Sequence, residues 1–278
     1  MKLAIEHETR YEYSAPLQYA MQQVCLTPQA SAHQTVHRWS LSAPGALFAQ
    51  RDGWGNLAHS WSLTRQRFGR HIYSGSVRAA GTVETHAVPT LTDVAGDPPV
   101  ELYLRPTSLT AWDEALAALG RAHLKAQIDA PSLLALAAQV RERVRYRTGR
   151  TTVDTTAREA LALGVGVCQD QAHVFIASCR ANGLPARYVS GYFHSPDAPQ
   201  LASHAWVDVC VDARGRRWLS VDITHDGLMD ERHVRLAVGP DYAACAPVRG
   251  VREGGGEESM RVHVQVGVAG EEEVTLES

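Results

Sequence analysis

The chain has 278 residues, enough to bury a substantial core in one large domain or two small ones. Its composition is that of an ordinary globular protein, and a formal net charge of -3 argues against a dedicated nucleic-acid surface. Lysine occurs only at Lys2 and Lys125, so arginine carries the positive charge, which we read as a compositional bias.

Residues 1–105 read as a β-rich, sandwich-like N-terminal domain. Leu3, Ile5 and the Tyr11/Tyr13 pair alternate, and His37–Ser42, Ala58–Leu63 and Ile72–Val77 are bounded by turn formers. Asp52-Gly53-Trp54-Gly55-Asn56 marks a turn between two of these strands. Helical spacing follows over Thr107–Leu124 and Ser132–Arg147, the second helix carrying Leu133, Leu134, Leu136, Ala137, Val140 and Val144 as an apolar stripe. Asp129-Ala130-Pro131-Ser132 is its start signal. A further helix is expected over Cys168–Asn182, stopped by Gly183 and Pro185. Strands are expected at Ala186–Phe193, His204–Val211 and Trp218–Asp222. Helices followed by strands place residues 106–250 in an α+β core and not in alternating βαβ units. Residues 251–278 read as a glycine-rich acidic linker, Glu253 to Glu258, and a last strand beginning at Met260.

The start of the chain lacks the uninterrupted apolar core of a signal peptide, and no apolar run approaches the ~20 residues of a membrane span. Five cysteines without a C-x-x-C pair form neither a disulfide framework nor a zinc knuckle. We therefore expect a cytoplasmic protein with no membrane partner, in a reducing compartment that keeps a thiol free.

Chemistry concentrates in three places. Gly164-Val165-Gly166-Val167-Cys168 puts a cysteine at the mouth of a helix, where the helix N-terminus favours the thiolate. Its first-turn N–H groups can also serve as oxyanion donors. His204 and Asp222 lie on two strands joined by the loop Asp212–Arg216. If Val211 faces Arg217, Trp206 faces Asp222 and His204 lies diagonal to it on the same face, within hydrogen-bonding reach. A shift of one residue would separate them. Cysteine, imidazole and carboxylate in that order make a thiol nucleophile, its base and the group that orients the base. His173 lies about 140° around the helix from Cys168, and His194 and His225 lie at or beyond strand ends, so His204 is the preferred base. Asp170 reads as a first-turn carboxylate accepting backbone N–H groups. Trp206 either lines the substrate pocket, shields the imidazole or simply packs. No close-spaced ligand pair indicates zinc, and no P-loop, dinucleotide fingerprint or Gly-x-Ser-x-Gly elbow is present, so no metal or cofactor is expected.

These residues resemble the bacterial transglutaminase-like proteins. The resemblance rests on Gly164 to His173 with Cys179 to Tyr192, on Ser203 to Asp208, and on Trp218 to Asp222 with Ala237 to Tyr242 and Pro247 to Gly250. Tyr11 to Tyr13, Leu26 to Pro28 and Asp52 to Asn56 resemble that family's β-rich N-terminal region. The resemblance implies a papain-like core, with the nucleophile helix packed on an antiparallel sheet. Cys168 is then the nucleophile, His204 the base and Asp222 the orienting carboxylate. The family's Asp-Pro-Thr is Asp222-Ile223-Thr224 here, and its Gly-Arg-Asp-Tyr is Gly239-Pro240-Asp241-Tyr242. The expected activity is acyl transfer on a peptide or glutamine-type amide of a peptide or protein substrate, with hydrolysis favoured over transfer to an amine. The competing reading is a non-catalytic peptide-binding module on the same scaffold.

Overall fold

The computed structural model describes residues 1–64, 72–124, 128–197 and 203–270. The N-terminal strands are β1 (Lys2–Val24), β2 (Gln34–Ser42), β3 (Phe48–Arg51), β4 (Leu57–Thr64) and β5 (Ile72–Thr85). They form a sheet in the order β2-β5-β1-β4-β3. Alternation along β1 turns Leu3, Ile5, His7, Thr9 and Tyr11 inward, as a half-buried strand requires. The turn Asp52–Asn56 joins β3 to β4 as expected, closed by hydrogen bonds from the Trp54 and Asn56 N–H groups to Asp52 Oδ1, each 2.9 Å.

Three local readings are corrected by hydrogen bonding that a periodicity does not reveal. The first helix, α1, spans Glu114–His123 and not Thr107–Leu124. Upstream, Thr107 and Thr110 exchange backbone-to-hydroxyl hydrogen bonds at 3.1 and 3.2 Å, and Asp113 caps the helix from Leu116 N–H. The second, α2, spans Ala130–Arg143, opened by a capping box between Asp129 and Ser132. It ends early because Arg145 N–H turns to the Gly164 carbonyl at 3.1 Å, making β7 (Arg145–Tyr146) a parallel partner of β8 (Val165–Gly166). The glycine-rich stretch read as a linker is a short break between two strands that share one partner. Strands β14 (Val248–Gly254) and β15 (Glu258–Val268) both run antiparallel to β1, and Gly254, Gly255 and Gly256 at φ 76, 85 and 62° carry the chain past Ser14–Pro16.

The second sheet holds β9 (Ala186–Phe193), β10 (Ser203–Asp212), β11 (Arg217–Asp222), β12 (Gly227–Leu228) and β13 (His233–Gly239), ordered β12-β11-β10-β9-β13, with β6 (Thr90–Thr92) added to β11. Helix α4 (Cys168–Ala181) is buried along nearly its whole length and packs on β10 and β9, in one core with Ala205, Val207 and Val209. A short helix, α3 (Ala157–Leu163), precedes it, and α5 (Tyr242–Cys245) follows β13. The α+β architecture, with the helix that begins at Cys168 packed on an antiparallel sheet and a strand-rich N-terminal region, is as the sequence indicates.

Candidate active site

The approach to Cys168 is shaped by two glycines with different causes. Gly164 ends α3 in the left-handed region at φ 69°, which a side chain disfavours. Gly166 has no room for one: an added Cβ would lie 2.6 Å from Asp170 Cβ and 2.7 Å from its Oδ2. Asp170 folds back over that glycine to accept Val167 N–H at 2.7 Å and the Thr151 hydroxyl at 2.8 Å. It is thus the first-turn cap the sequence indicates, and burial raises its carboxyl above the ordinary value despite those hydrogen bonds. Cys168 sits in the first turn, where N–H groups have no helical acceptor, and it is partly exposed. Cys25, Cys179, Cys210 and Cys245 are buried thiols.

Strands β10 and β11 pair in the register that parity requires, with Val207 opposite Val221 and Val209 opposite Leu219. A bulge between Cys210 and Asp212 absorbs the loop, so Arg217 faces Asp212 and not Val211. His204 and Asp222 consequently meet, Nε2 to Oδ2 at 2.8 Å, both buried. Cys168 lies close enough to the imidazole to favour its charged form. Burial opposes charge on His204, but the Asp222 carboxylate, aided by Cys168, outweighs it and raises the imidazole to about 10. Asp222 is held well below the carboxylate range, because His204 and two further imidazoles overcome its own burial.

Those two imidazoles complete the site. His225 Nδ1 reaches Asp222 Oδ2 at 2.8 Å, its backbone N–H reaches Oδ1 at 3.1 Å, and its ring stacks on Phe193 at 3.9 Å. His233 Nε2 reaches the same Oδ2 at 2.9 Å, and its Nδ1 lies 3.0 Å from Asp230 Oδ1. His233 is 1% exposed and bridges two carboxylates from the start of β13. Sequence reasoning passed over His233 altogether and weighed His225 only as a rival base; the short spacing of Asp222 and His225 was the available signal for the latter.

The rivals are placed elsewhere. His173 is fully buried, accepts Tyr242 N–H at 3.1 Å and is lowered to about 4 by desolvation. His194 Nδ1 hydrogen-bonds the Val266 carbonyl at 3.1 Å. Trp206 does not line a pocket, since it is fully buried with Leu91, Val189 and Met229. Its ring instead lies 5.8 Å from that of His204 at 27°, backing the imidazole. Ile223, where the family has proline, is buried in the main core, and Thr224 donates to Gln171 Oε1 at 2.7 Å. Pro240 keeps its carbonyl on the buried Arg180 at 2.7 Å, while Asp241 caps α5 through Ala244 N–H.

By spacing alone, His204, Asp222 and His225 could hold a metal ion, with ligand atoms within 4.8 Å of one another. Both nitrogens already engage the carboxylate, so a cation would have to displace these hydrogen bonds. Among the described residues no helix is long and apolar enough to cross a membrane.

The transglutaminase-like superfamily matches residues 119–223, and the bacterial transglutaminase-like N-terminal region matches residues 3–77. An uncharacterized protein of Mycobacterium tuberculosis is 32% identical over 294 residues, covering 92% of this chain and 89% of its own. Another from Mycobacterium leprae is 28% identical over 277 residues, covering 95% and 98%. A solved structure from Cytophaga hutchinsonii, described as a candidate cysteine protease, superposes with a TM-score of 0.76 at 22% identity, covering 96% of this chain and 90% of that one. The last likeness is one of fold, and it extends over both the strand-rich region and the core that carries Cys168, His204 and Asp222. The chain belongs to the bacterial transglutaminase-like family.

Proposed function

We propose that the protein is a thiol-dependent amidase in which Cys168, His204 and Asp222 act as nucleophile, acid–base and orienting carboxylate. The observation that carries this reading is the position of His204, bonded through Nε2 to Asp222 at 2.8 Å and close enough to Cys168 for the two to favour each other's charge. The Cys168 thiolate attacks the carbonyl carbon of a peptide bond or glutamine side chain, and the oxyanion draws on the Cys168 N–H. Imidazolium His204 passes its proton to the nitrogen, the C–N bond breaks, and the amine leaves a thioester on Cys168. Water then gives a proton to His204 as it attacks the thioester, releasing the acid and restoring the thiolate–imidazolium pair. Asp222 stays ionised throughout and fixes the tautomer.

Hydrolysis is favoured over transfer because holding out water requires a closed acceptor channel. We place the protein in the cytoplasm, consistent with five cysteines that are all free. Incubation with a glutamine-containing peptide, followed by mass spectrometry with and without a primary amine, tests the reaction. Release of ammonia or a cleaved peptide, abolished in Cys168→Ala, is expected. Amine incorporation in place of hydrolysis would make the protein a transferase. Peptide binding with neither product, and no selective alkylation of Cys168 by iodoacetamide, would reduce it to a binding module.

A further inference from the structure

The segment from the end of α2 to α3 forms an arch fixed over the mouth of the nucleophile helix. Four anchors hold it. Arg145 N–H bonds the Gly164 carbonyl at 3.1 Å and Arg147 N–H the Gly166 carbonyl at 2.7 Å. The Thr151 hydroxyl bonds Asp170, and Gln169 Nε2 bonds the Val153 carbonyl at 3.1 Å. Every anchor lands between Gly164 and Asp170, so the arch and Cys168 move as one piece. Tyr146 pairs with Gly166, two residues before the thiol. A parallel neighbour spacing of about 4.8 Å and two residues of chain put its Cα within about 12 Å of that of Cys168. Burial, then the charge of Cys168, raises the Tyr146 phenol, in accord with that closeness.

The arch is strongly basic. Arg143, Arg145, Arg147 and Arg150 are all exposed, and none has a carboxylate partner among the described residues. Their neighbour Arg141 is paired with Asp226 at 2.7 Å, and Glu159 is occupied in capping α3. Glu142, which accepts from Gln139 Nε2 at 2.7 Å, and Asp154 are the other exposed carboxylates of this stretch, so arginine outnumbers them two to one. Four exposed arginines without a carboxylate partner, on a segment anchored to the residues around Cys168 in a chain whose net charge is -3, make a local field of opposite sign to the whole. A guanidinium presents a planar fork of donors suited to carboxylates. A carboxylate three residues from the scissile amide of an extended peptide lies about 10 Å away, inside the bound of about 12 Å between the Tyr146 and Cys168 Cα atoms.

We propose that this basic arch selects substrates, so that the amide attacked by Cys168 belongs to a peptide segment with acidic residues flanking the reacting position. The inference rests on the amidase reading for the chemistry, but binding can be measured without it. Two fluorescent glutamine peptides, one flanked by glutamates and one by lysines, are titrated by anisotropy into the full-length Cys168→Ala variant, at low salt and at about 0.5 M. The glutamate peptide is expected to bind at least tenfold more tightly at low salt. Most of that preference should vanish at high salt, where the screening length drops to a few ångströms. The double variant Arg145→Glu, Arg147→Glu should reverse the preference. Those side chains are exposed and Arg145 and Arg147 anchor the arch only through their backbone N–H groups, so the variant's melting temperature, recorded alongside, should match that of the parent.

Equal binding of the two peptides, or an acidic preference that survives the double charge reversal, would overturn the proposal. So would charge-dependent binding confined to a single-stranded RNA or to anionic vesicles run as controls. In parallel, the same peptides carrying an electrophile in place of the glutamine amide are reacted with the parent enzyme. Acylation of Cys168 irrespective of flanking charge would sink the arch and leave the amidase standing. Selective acidic binding without any acylation would keep the arch and remove the amidase.

Discussion

Asp222→Asn tests the central arrangement most directly. Three imidazole nitrogens converge on Oδ2 at 2.8, 2.8 and 2.9 Å, and Oδ1 accepts the His225 N–H at 3.1 Å. An amide has one acceptor oxygen and one donor group, so either orientation sets a donor against a donor. An unsatisfied buried group of this kind costs about 1–3 kcal/mol, a drop of a few degrees in Tm that leaves the fold intact. The functional loss is larger. Without the carboxylate, burial of His204 is opposed mainly by Cys168, and the imidazole falls from about 10 toward or below its ordinary 6.5. At about pH 7.5 an imidazole of pKa 6.5 is protonated in roughly one molecule in ten, against nearly all at 10. Alkylation by iodoacetamide through the ion pair should therefore slow about tenfold. Turnover should fall roughly 10²- to 10³-fold, because the tautomer is also no longer fixed, a loss below the ~10⁴ of a serine enzyme. Alkylation rates from about pH 6 to 10 and kcat/KM on a glutamine peptide provide the readout. Parental turnover with an unchanged alkylation profile would refute the assignment of Asp222.

Three further outcomes are expected. His233→Leu should lower kcat roughly tenfold with little change in KM, since it removes a donor from Asp222, while His233→Gln, which can keep an Nε2–H at that position, should recover part of the loss; equal kinetics for the two variants would deny His233 a positioning role. Gly166→Ala should cost about 1–3 kcal/mol by overpacking against the Asp170 carboxylate, and combining it with Asp170→Ala should cost less than the sum of the two; chemical denaturation of the four proteins decides it. The raised imidazole of His204 stabilises the fold fully below about pH 6.5 and loses that contribution as pH climbs through about 10, while the depressed Asp222 loses its own as pH falls below the ordinary carboxylate range. The Tm difference between the parent and His204→Gln should accordingly be greatest near pH 5–6 and shrink toward pH 10, and a difference that grows with pH would contradict that sign.

What was legible in the sequence was local or followed from parity. Cys168 announces itself by its glycines, and the two-residue period of strands was enough to put His204 beside Asp222 before any coordinates. Parity says nothing about depth, however, and Trp206 shares the face of His204 while lying wholly beneath it. His233 could not be found by spacing: β13 reaches the site by pairing with β9, with His233 opposite Phe193, a long-range register that no local pattern encodes. The Gly254–Gly256 run was misread for the same reason. Its meaning depends on Ser14–Pro16, far away in the chain, which hydrogen-bond Gly255 and Glu257 from within β1. The early end of α2 likewise depends on a carbonyl, that of Gly164, nineteen residues beyond Arg145 by numbering.

The strand-rich N-terminal region holds none of the three residues proposed to react, yet it touches the strand that carries His233. β13 ends its sheet, so one edge of its backbone lacks a neighbouring strand. Side chains from the N-terminal region take that place. Gln34 donates to the Arg235 carbonyl at 2.9 Å and accepts its N–H at 2.8 Å, and Asn56 does the same for Val238 at 2.7 and 2.8 Å. His33 Nε2 reaches the His233 carbonyl at 2.8 Å. An amide side chain carries both a donor and an acceptor, so each satisfies a whole residue of the exposed edge. Asn56 is in turn held by Asp52 at 3.0 Å, which gives the Asp52–Asn56 turn a purpose beyond reversing the chain. The path from these contacts to the proposed site is short: they bond β13, β13 carries His233, His233 bonds Asp222, and Asp222 bonds His204. A core freed of residues 1–105 would expose the β13 edge and release its first residue, so losing the N-terminal region should loosen the Asp222 carboxylate without removing any atom that reacts.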